Sequence, residues 1–324
     1  MRAATRVTVG GLAIGLSHPL CACVINNAWP AGVRRHPPVG LTMLAGMPAP
    51  SQHRDQPPPA PEPLAVPVLD SHTHLDMVGG DPGQAVAAAR AVGVDRLVQV
   101  GVDVETSRWS ARLAAAEPAV LAAVALHPND APALAEAGEL DGALRVIEEL
   151  ARQPRVRAVG ETGLDTYRTG DAGRAAQETS FRAHIAIAKA TGRALVIHDR
   201  DAHADILRVL DEEGAPEQVV LHCFSGDEQF AAGCVKRGYV LSFAGTVTFK
   251  NAEYLRAAAR ITPLDQVLVE TDAPFLTPVP YRGRRNGSYL IPLTVRALAR
   301  AMDRDLDEVC AAISANGERV FGPW

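Results

Sequence analysis

Short apolar runs alternate with longer helix-like stretches from about residue 67 to the C-terminus. The runs consist of β-branched and aliphatic residues, which is typical of strands buried in the parallel sheet of βα units. Eight runs predict strands, over residues 66–70, 96–100, 121–126, 155–160, 194–197, 219–221, 239–243 and 267–269. The stretches between them predict helices over residues 83–92, 105–116, 141–152, 174–190, 202–213, 227–237 and 252–260, with two more over 293–302 and 306–314.

Eight strand and helix alternations over about 250 residues predict an α/β fold of the (β/α)8 TIM-barrel type, whose active site lies at the carboxyl ends of the strands. A doubly wound open sheet is the alternative, because periodicity does not show whether a sheet closes. The first predicted strand is not followed by a glycine fingerprint for a dinucleotide or by a Walker loop.

Residues 1–66 differ from the rest of the chain, since they contain scattered Pro and Gly and a proline run before residue 67. Such a run predicts an extended linker. We therefore expect a low-complexity, Pro-rich N-terminal extension over residues 1–66 and one TIM-barrel domain over residues 67–324.

The far end of this extension has features of a secretion signal. Arg2 and Arg6 precede the apolar residues 7–16, and residues 20–23 resemble a lipoprotein cleavage site. A start at Met43 or Met47, or a disordered extension, is the plainer interpretation. No segment has about 18 consecutive apolar residues, so we predict no membrane span.

Composition supports a globular protein rather than a fibrous or disordered one, because 47% of the 324 residues are hydrophobic and 21% are charged. The net charge of -5 comes without a block of like charges, so any nucleic-acid contact requires a local basic patch. The five cysteines lack the spacing of a disulfide framework and predict reduced thiols and a cytoplasmic location. Cys21 and Cys23 resemble a metal clip only weakly.

Histidines and acids lie directly after the predicted strands. Side chains in a strand alternate, so His72 and His74 point to the same side and can meet one ion. In a closed barrel the strand ends meet at one mouth, which brings together six candidate metal ligands: His72, His74, Glu161, His198, His222 and Asp272. Six exceed the needs of one tetrahedral ion, so we predict two divalent metal ions about 3.5 to 4 Å apart, with Glu161 bridging them. Taken singly, each residue also has a structural explanation, and Asp70 and Asp165 stay open between turn or cap and function.

At this point the sequence resembles the TatD family of metal-dependent deoxyribonucleases, among the amidohydrolase-like barrels. The resemblance covers residues 68–321, and its motifs are DSHTHLD from Asp70, GETGLD from Gly160, VIHDRDA from Val196, HCFSG from His222, SFAGTVTFKNA from Ser242 and ETDAPFLTP from Glu270. The metal ligands of the family fall on the same six residues.

The resemblance implies hydrolysis of phosphodiester bonds in DNA, single-stranded or at 3′ ends, by a hydroxide activated between two metals. Asp272 is the candidate to accept the proton of the water, and Glu161 is the second catalytic candidate. His127 and Arg200 are candidates to hold a phosphate oxygen. Four imidazoles favour Zn, Mn or Fe, whereas the family is described as Mg-responsive, so the metal stays open, with Mg, Mn and Zn as the main candidates.

The loop after the eighth strand is a candidate groove for DNA because of four side chains, Tyr281, Arg282, Arg284 and Arg285. Two departures from the family concern substrate range. Asn129 stands where many members have a second histidine, and residues 285–288 lack a loop carboxylate. The alternatives are a metal-dependent hydrolase of another phosphoester, an amide or a tRNA ester, and a non-catalytic binding protein on the same barrel.

Overall fold

The computed structural model describes residues 56–324, and eight parallel strands form one sheet in them. The strands are β1 (Val68–Thr73), β2 (Val94–Val100), β3 (Val120–Val124), β4 (Val156–Asp165), β5 (Ala194–Arg200), β6 (Val219–Leu221), β7 (Val240–Phe243) and β8 (Val267–Val269). They follow one another around the sheet in chain order. A parallel bridge between Thr73 and Ala273 joins β1 to the chain just after β8. The predicted (β/α)8 barrel is therefore confirmed, and the open doubly wound sheet is wrong.

Helices cover the outside of the sheet, as βα connections require. They are α1 (Leu75–Val78), α2 (Pro82–Arg90), α3 (Val104–Ala116), α4 (Ala131–Glu136), α5 (Leu140–Ala151), α6 (Thr166–Thr191), α7 (His203–Glu213), α8 (Glu228–Lys236), α9 (Glu253–Ile261), α10 (Ile291–Met302) and α11 (Leu306–Phe321). Three short 3-10 turns lie at Gly245–Thr248, Leu264–Gln266 and Ser288–Leu290. All nine predicted helices are present, whereas α1, α4 and the 3-10 turns were not predicted.

The strands β4 and β5 extend farther toward the mouth than predicted. They pair up to Asp165 and Arg200, while the predicted strands end at residues 160 and 197. Apart from Leu164, the extra residues are polar or glycine, and a Cβ on Gly163 would lie 2.1 Å from the carbonyl oxygen of His198. Glycine at this position therefore lets β4 approach β5 where the candidate ligands lie.

The chain before β1 packs on the barrel. Leu64 is buried, and its backbone N–H donates to the carbonyl oxygen of Val92 at 3.0 Å. Residues 56–66, which we assigned to the extension, thus contact the barrel in part. Residues 1–55, with the signal-like stretch and the pair of cysteines, lie outside the described residues, so the predicted boundary at residue 66 stays a prediction.

The two ends of the described chain lie near opposite ends of the strands. The guanidinium of Arg284, in the loop after β8, donates to the carbonyl oxygens of Gln56 and Pro57, each at 2.7 Å. At the other end, the indole N–H of Trp324 donates to the carbonyl oxygen of Ala119, just before β3 begins. None of the helices described is long and apolar enough to cross a membrane.

Candidate metal centre

The carboxyl ends of five strands bring the six predicted ligands together. The side chains come from β1 (His72 and, one residue beyond it, His74), β4 (Glu161), β5 (His198) and the residues just after β6 (His222) and β8 (Asp272). All six side chains are mostly or fully buried, and each contacts at least one of the others. The predicted convergence at one mouth is therefore what the structure has.

Glu161 lies at the centre of the cluster, and its two oxygens face different histidines. Oε1 lies 2.6 Å from Nδ1 of His198 and 2.8 Å from Nε2 of His222. Oε2 lies 3.4 Å from Nε2 of His72 and 3.8 Å from Nε2 of His74. One carboxylate thus contacts histidines on both of its sides, and the rings of two of them, His72 and His222, stack with their centres 3.9 Å apart.

The set around His72 and His74 fits a cation. The Nε2 atoms of the two rings are 3.2 Å apart, and Oδ1 of Asp272 lies 3.4 Å from Nε2 of His74. Nδ1 of His74 donates to the carbonyl oxygen of Val100 at 3.1 Å, so the neutral ring presents the lone pair of Nε2 to the cluster. Electron-pair donors that converge in a buried space require positive charge between them.

The set around His222 is oriented by Glu270, a residue that was not predicted from the sequence to belong to the site. Oε1 of Glu270 accepts from Nδ1 of His222 at 3.2 Å and from the backbone N–H of Cys223 at 2.7 Å. These bonds turn Nε2 of His222 toward Glu161, as carboxylate partners do for metal-binding histidines. Glu270 lies two residues before Asp272 in the ETDAPFLTP motif, and this spacing is the feature of the sequence that indicates a second acid near the site.

His198 is held by a similar arrangement on the other side. Its Nε2 lies 3.3 Å from Oδ2 of Asp165, which also accepts from the side-chain amide of Asn129 at 3.0 Å. The other oxygen of Asp165 accepts from the backbone N–H of Arg168 at 2.8 Å and caps α6. Asp165 therefore has both of the roles left open from sequence: it is a helix cap and a contact of a candidate ligand. Asn129, the departure from the family, supports that contact.

Asp70 is a structural residue in this arrangement. Its oxygens accept from the backbone N–H of Thr271 at 2.9 Å and from the hydroxyl of Thr271 at 2.5 Å. Burial raises the pKa of Asp70 to about 7, against the lowering effect of these bonds. The contacts tie β1 to the residue that precedes Asp272, and so fix the edge where the barrel closes.

The two predicted phosphate contacts have different surroundings. Nδ1 of His127 accepts from the backbone N–H of Asn129 at 3.1 Å, so the neutral ring has its proton on Nε2, which lies 3.3 Å from Oε1 of Glu161. His127 is thus placed in the cluster as a hydrogen-bond donor. The guanidinium of Arg200 stacks on the ring of Tyr167 at 4.1 Å, and within residues 56–324 it has no contact with the six candidate ligands.

The charges in the cluster balance one another. Burial opposes ionisation of Glu161, but the nearby His222 and His127 hold its pKa well below the usual range. Burial likewise disfavours a charged His222, but the charges of Glu161 and Glu270 raise its pKa well above the usual value. Several carboxylates in one buried site therefore stabilise positive charge, which imidazolium protons or divalent cations supply.

The arginines in the loop after β8 contact the protein itself. Arg284 binds residues 56 and 57, as described above, and Arg285 donates to the carbonyl oxygen of Met77 at 2.8 Å. Arg282 lies over the ring of Phe249 at 4.3 Å, and Arg284 lies 5.4 Å from the ring centre of Tyr281. The arginines that we predicted to line a groove for DNA therefore contact this loop and neighbouring parts of the protein.

Comparison with known proteins identifies relatives of this barrel. The family model described as TatD related DNase matches residues 69–322. An uncharacterized metal-dependent hydrolase TatD of Mycobacterium tuberculosis is 45% identical over 263 residues, which cover 79% of this chain and 98% of that protein. The 3′-5′ ssDNA/RNA exonuclease TatD of Citrobacter rodentium is 34% identical over 250 residues, 75% of this chain and 92% of that protein.

A solved structure agrees with these relatives. The TatD homologue YJJV of Escherichia coli superimposes with a TM-score of 0.71 at 25% sequence identity, covering 79% of this chain and 98% of that one. The matched regions leave out most of the proline-rich N-terminal part.

Proposed function

The chain belongs to the family of TatD-related DNases, and the relative from Mycobacterium tuberculosis is named a metal-dependent hydrolase. On that premise we propose that the chain hydrolyses phosphodiester bonds of DNA with two divalent cations at the barrel mouth. The observation that carries the proposal is the position of Glu161, whose two oxygens face two different sets of donor atoms. Two cations that share a carboxylate are the usual arrangement for splitting phosphate esters.

The two cations are assigned to the two sides of Glu161. His72, His74 and Asp272 would hold one with Oε2, and His198 and His222 would hold the other with Oε1. When bound, such cations lower the pKa of water and neutralise charge on the phosphate. His127 is left out of both sets, because its proton lies on the nitrogen that faces Glu161.

Asp272 is the proposed proton acceptor for the attacking water. Burial opposes its ionisation, but positive charge at His74 and His72, whose place a bound cation would take, lowers its pKa. The carboxylate is therefore ionised near neutral pH, which a general base requires. His127 would donate its Nε2 proton to a non-bridging phosphate oxygen, since the same proton now points at Oε1 of Glu161.

Arg200 would act at the rim rather than at the reacting phosphate. It forms a stacked pair with Tyr167, whose side chain is 63% exposed at the start of α6. An exposed aromatic ring with an adjacent guanidinium is a platform for a nucleotide base and its phosphate. We therefore propose that Arg200 contacts the strand beside the scissile bond.

The substrate class is supported by the name of one relative, the 3′-5′ ssDNA/RNA exonuclease of Citrobacter rodentium. We propose single-stranded DNA or a free 3′ end as the substrate. Four imidazoles favour Zn or Mn over Mg, which prefers oxygen ligands. The cytoplasmic location expected from the sequence stays a prediction.

The test is a substrate panel with matched metals. Purified protein loaded with Mg, Mn or Zn would be assayed on labelled single-stranded DNA, duplex DNA, RNA, and a set of amides and esters. We expect cleavage of single-stranded DNA that Glu161→Gln abolishes, with bound metal counted in both proteins by mass spectrometry. Cleavage of an amide or ester alone would establish the alternative hydrolase, and metal binding without any cleavage would leave a binding protein.

A further inference from the structure

A cavity on the outer wall of the barrel contains four arginines. It has a volume of about 500 Å³ and lies between α9, α10 and the loops after β7 and β8. Its lining residues are Val247, Thr248, Arg256, Arg260, Val279, Leu293, Arg296, Ala297, Arg300 and Ala301. None of these residues is acidic, although the whole chain has a net charge of -5.

The arginines face the cavity because of their spacing on two packed helices. Arg256 and Arg260 are four residues apart on α9, and Arg296 and Arg300 are four residues apart on α10. Residues at this spacing lie on one face of a helix, one turn above the other. Two turns of each helix thus direct guanidinium groups into the same space.

The inner two arginines hold the walls of the cavity. Arg256 donates to the carbonyl oxygens of Val247 and Phe249 at 3.0 and 2.9 Å. Arg296 donates to the carbonyl oxygen of Pro63 at 3.0 Å. Their removal would therefore disturb the packing of the barrel wall, in addition to removing charge.

The outer two arginines are more exposed than the inner two. Arg260 is exposed and pairs with Glu253 at 2.8 Å, a carboxylate that it shares with Arg256. Arg300 is also exposed, and in the part of the chain that the structure describes its guanidinium makes no hydrogen bond or ion pair. Guanidinium groups that face one another across a cavity repel, so an anion between them would be bound favourably.

One loop, the one after β8, borders both the cavity and the mouth. The hydroxyl of Thr248, in the 3-10 turn after β7, accepts from the backbone N–H of Val279 at 2.9 Å. Val279 and Asp272 both belong to this loop, seven residues apart. At most about 25 Å of chain therefore separates the mouth from the Val279 side of the cavity.

We propose that this cavity binds phosphate groups of the nucleic-acid substrate outside the diester that is hydrolysed, an inference that rests on the proposed function. Guanidinium forks suit phosphate oxygens, and Arg260 and Arg300 are exposed to receive them. The apolar side of the cavity, with Val279 and Leu293, contacts a sugar or a base. Continuity with the mouth loop favours a strand over a free mononucleotide, which offers the same phosphate chemistry.

The experiment measures how the binding of a nucleic-acid strand depends on salt when two arginines of the cavity are replaced by uncharged glutamines. The double variant Arg260→Gln/Arg300→Gln is compared with wild type, using the metal-loaded protein and a labelled single-stranded oligonucleotide with a phosphorothioate backbone. Log K falls as log salt rises, and the loss of two phosphate contacts makes this slope less steep by about 1.4. Between about 50 and 200 mM salt, the affinity of wild type then falls about sevenfold more than that of the variant.

Two controls separate the cavity from general effects of charge or folding. Arg145→Gln removes an exposed arginine from α5, which packs on β3 and β4, far around the barrel from α10 and β8. We expect this variant to have the wild-type slope. Arg260→Lys/Arg300→Lys keeps both charges and restores most of the slope. A small chromogenic phosphodiester, which cannot span both sites, is hydrolysed at the same rate by all variants.

The outcomes distinguish this inference from the proposed function. An unchanged slope in the Gln variant overturns the inference even if the protein cleaves DNA. A mononucleotide that binds as tightly as the oligonucleotide, with the same loss in the Gln variant, also overturns it, because the cavity would then be a free-nucleotide site. A reduced slope in a protein that cleaves no nucleic acid supports binding at the cavity and refutes the proposed hydrolysis.

Discussion

His184 makes the stability of the barrel dependent on pH, and replacing it tests this directly. The ring is fully buried in α6, where Nε2 accepts from the backbone N–H of Leu126 at 3.0 Å and Nδ1 donates to the carbonyl oxygen of Ser180 at 2.7 Å. The bond to Leu126 fixes the segment just after β3, which places His127 in the mouth. The bond from Leu126 requires the neutral ring, because Nε2 must offer its lone pair, so protonation breaks it. The bond to Ser180 is available to the charged ring as well.

The size of the effect follows from the pKa of His184. Burial lowers this pKa from 6.5 to about 4 in the folded protein. Between these two values the unfolded chain binds a proton that the folded chain does not, so stability falls as the pH falls from 6.5 toward 4. From about pH 7 to about pH 4.5 the loss amounts to about 2.5 kcal/mol.

The assay is urea unfolding of wild type and His184→Gln at several pH values across that range. We expect the variant to be less stable at pH 7 by about 1–3 kcal/mol, since a buried backbone N–H loses part of its hydrogen bond. Its further loss on acidification should be smaller than that of wild type by about 2.5 kcal/mol. The control Asn316→Ala removes buried, non-titrating bonds to the carbonyl oxygens of Leu264 and Val267, and should lower stability equally at each pH. Equal acid sensitivity of wild type and His184→Gln would refute the reasoning.

Three further outcomes follow from the contacts described above. Glu270→Gln should weaken metal binding by about 10- to 100-fold, because His222 loses its carboxylate partner; mass spectrometry after dialysis measures this, and full metal content would contradict it. Removal of metal by a chelator should abolish hydrolysis and lower the melting temperature, since a ligand at about 1,000 times its Kd contributes about 4 kcal/mol; calorimetry before and after metal is returned checks both. Leu64→Ala should destabilise the barrel by about 2–5 kcal/mol in urea unfolding, whereas Glu62→Ala, an exposed neighbour, should change little.

The barrel could be predicted from the sequence because its strands are buried on both faces. The predicted runs over 219–221 and 267–269 coincide with β6 and β8. The prediction ended β4 too early because Glu161, Thr162 and Asp165 are polar, and polar residues indicate a loop unless a neighbouring strand pairs with them. Their partners are on β5, far along the chain, and no local pattern shows that pairing.

The candidate ligands could be found because each follows a strand, and strand ends meet in a closed barrel. Their orientation could not be found in this way. Asp272 has a φ of 52°, a conformation that few non-glycine residues adopt, and its backbone N–H donates to the carbonyl oxygen of His72 at 2.9 Å. Glu270 and the placement of Arg200 on Tyr167 depend in the same way on neighbours that the sequence does not bring together.

Because residue 56 lies against Arg284 beside the loop that carries Asp272, the start of the folded barrel is a natural position for an optical reporter. A fluorophore attached there would sit beside the loop that carries Asp272, and its emission would change when a ligand binds at the mouth. The same dye after Trp324 would sit near the amino ends of the strands, next to Ala119, and would respond to unfolding alone. The pair of attachment points separates binding from loss of structure in one measurement.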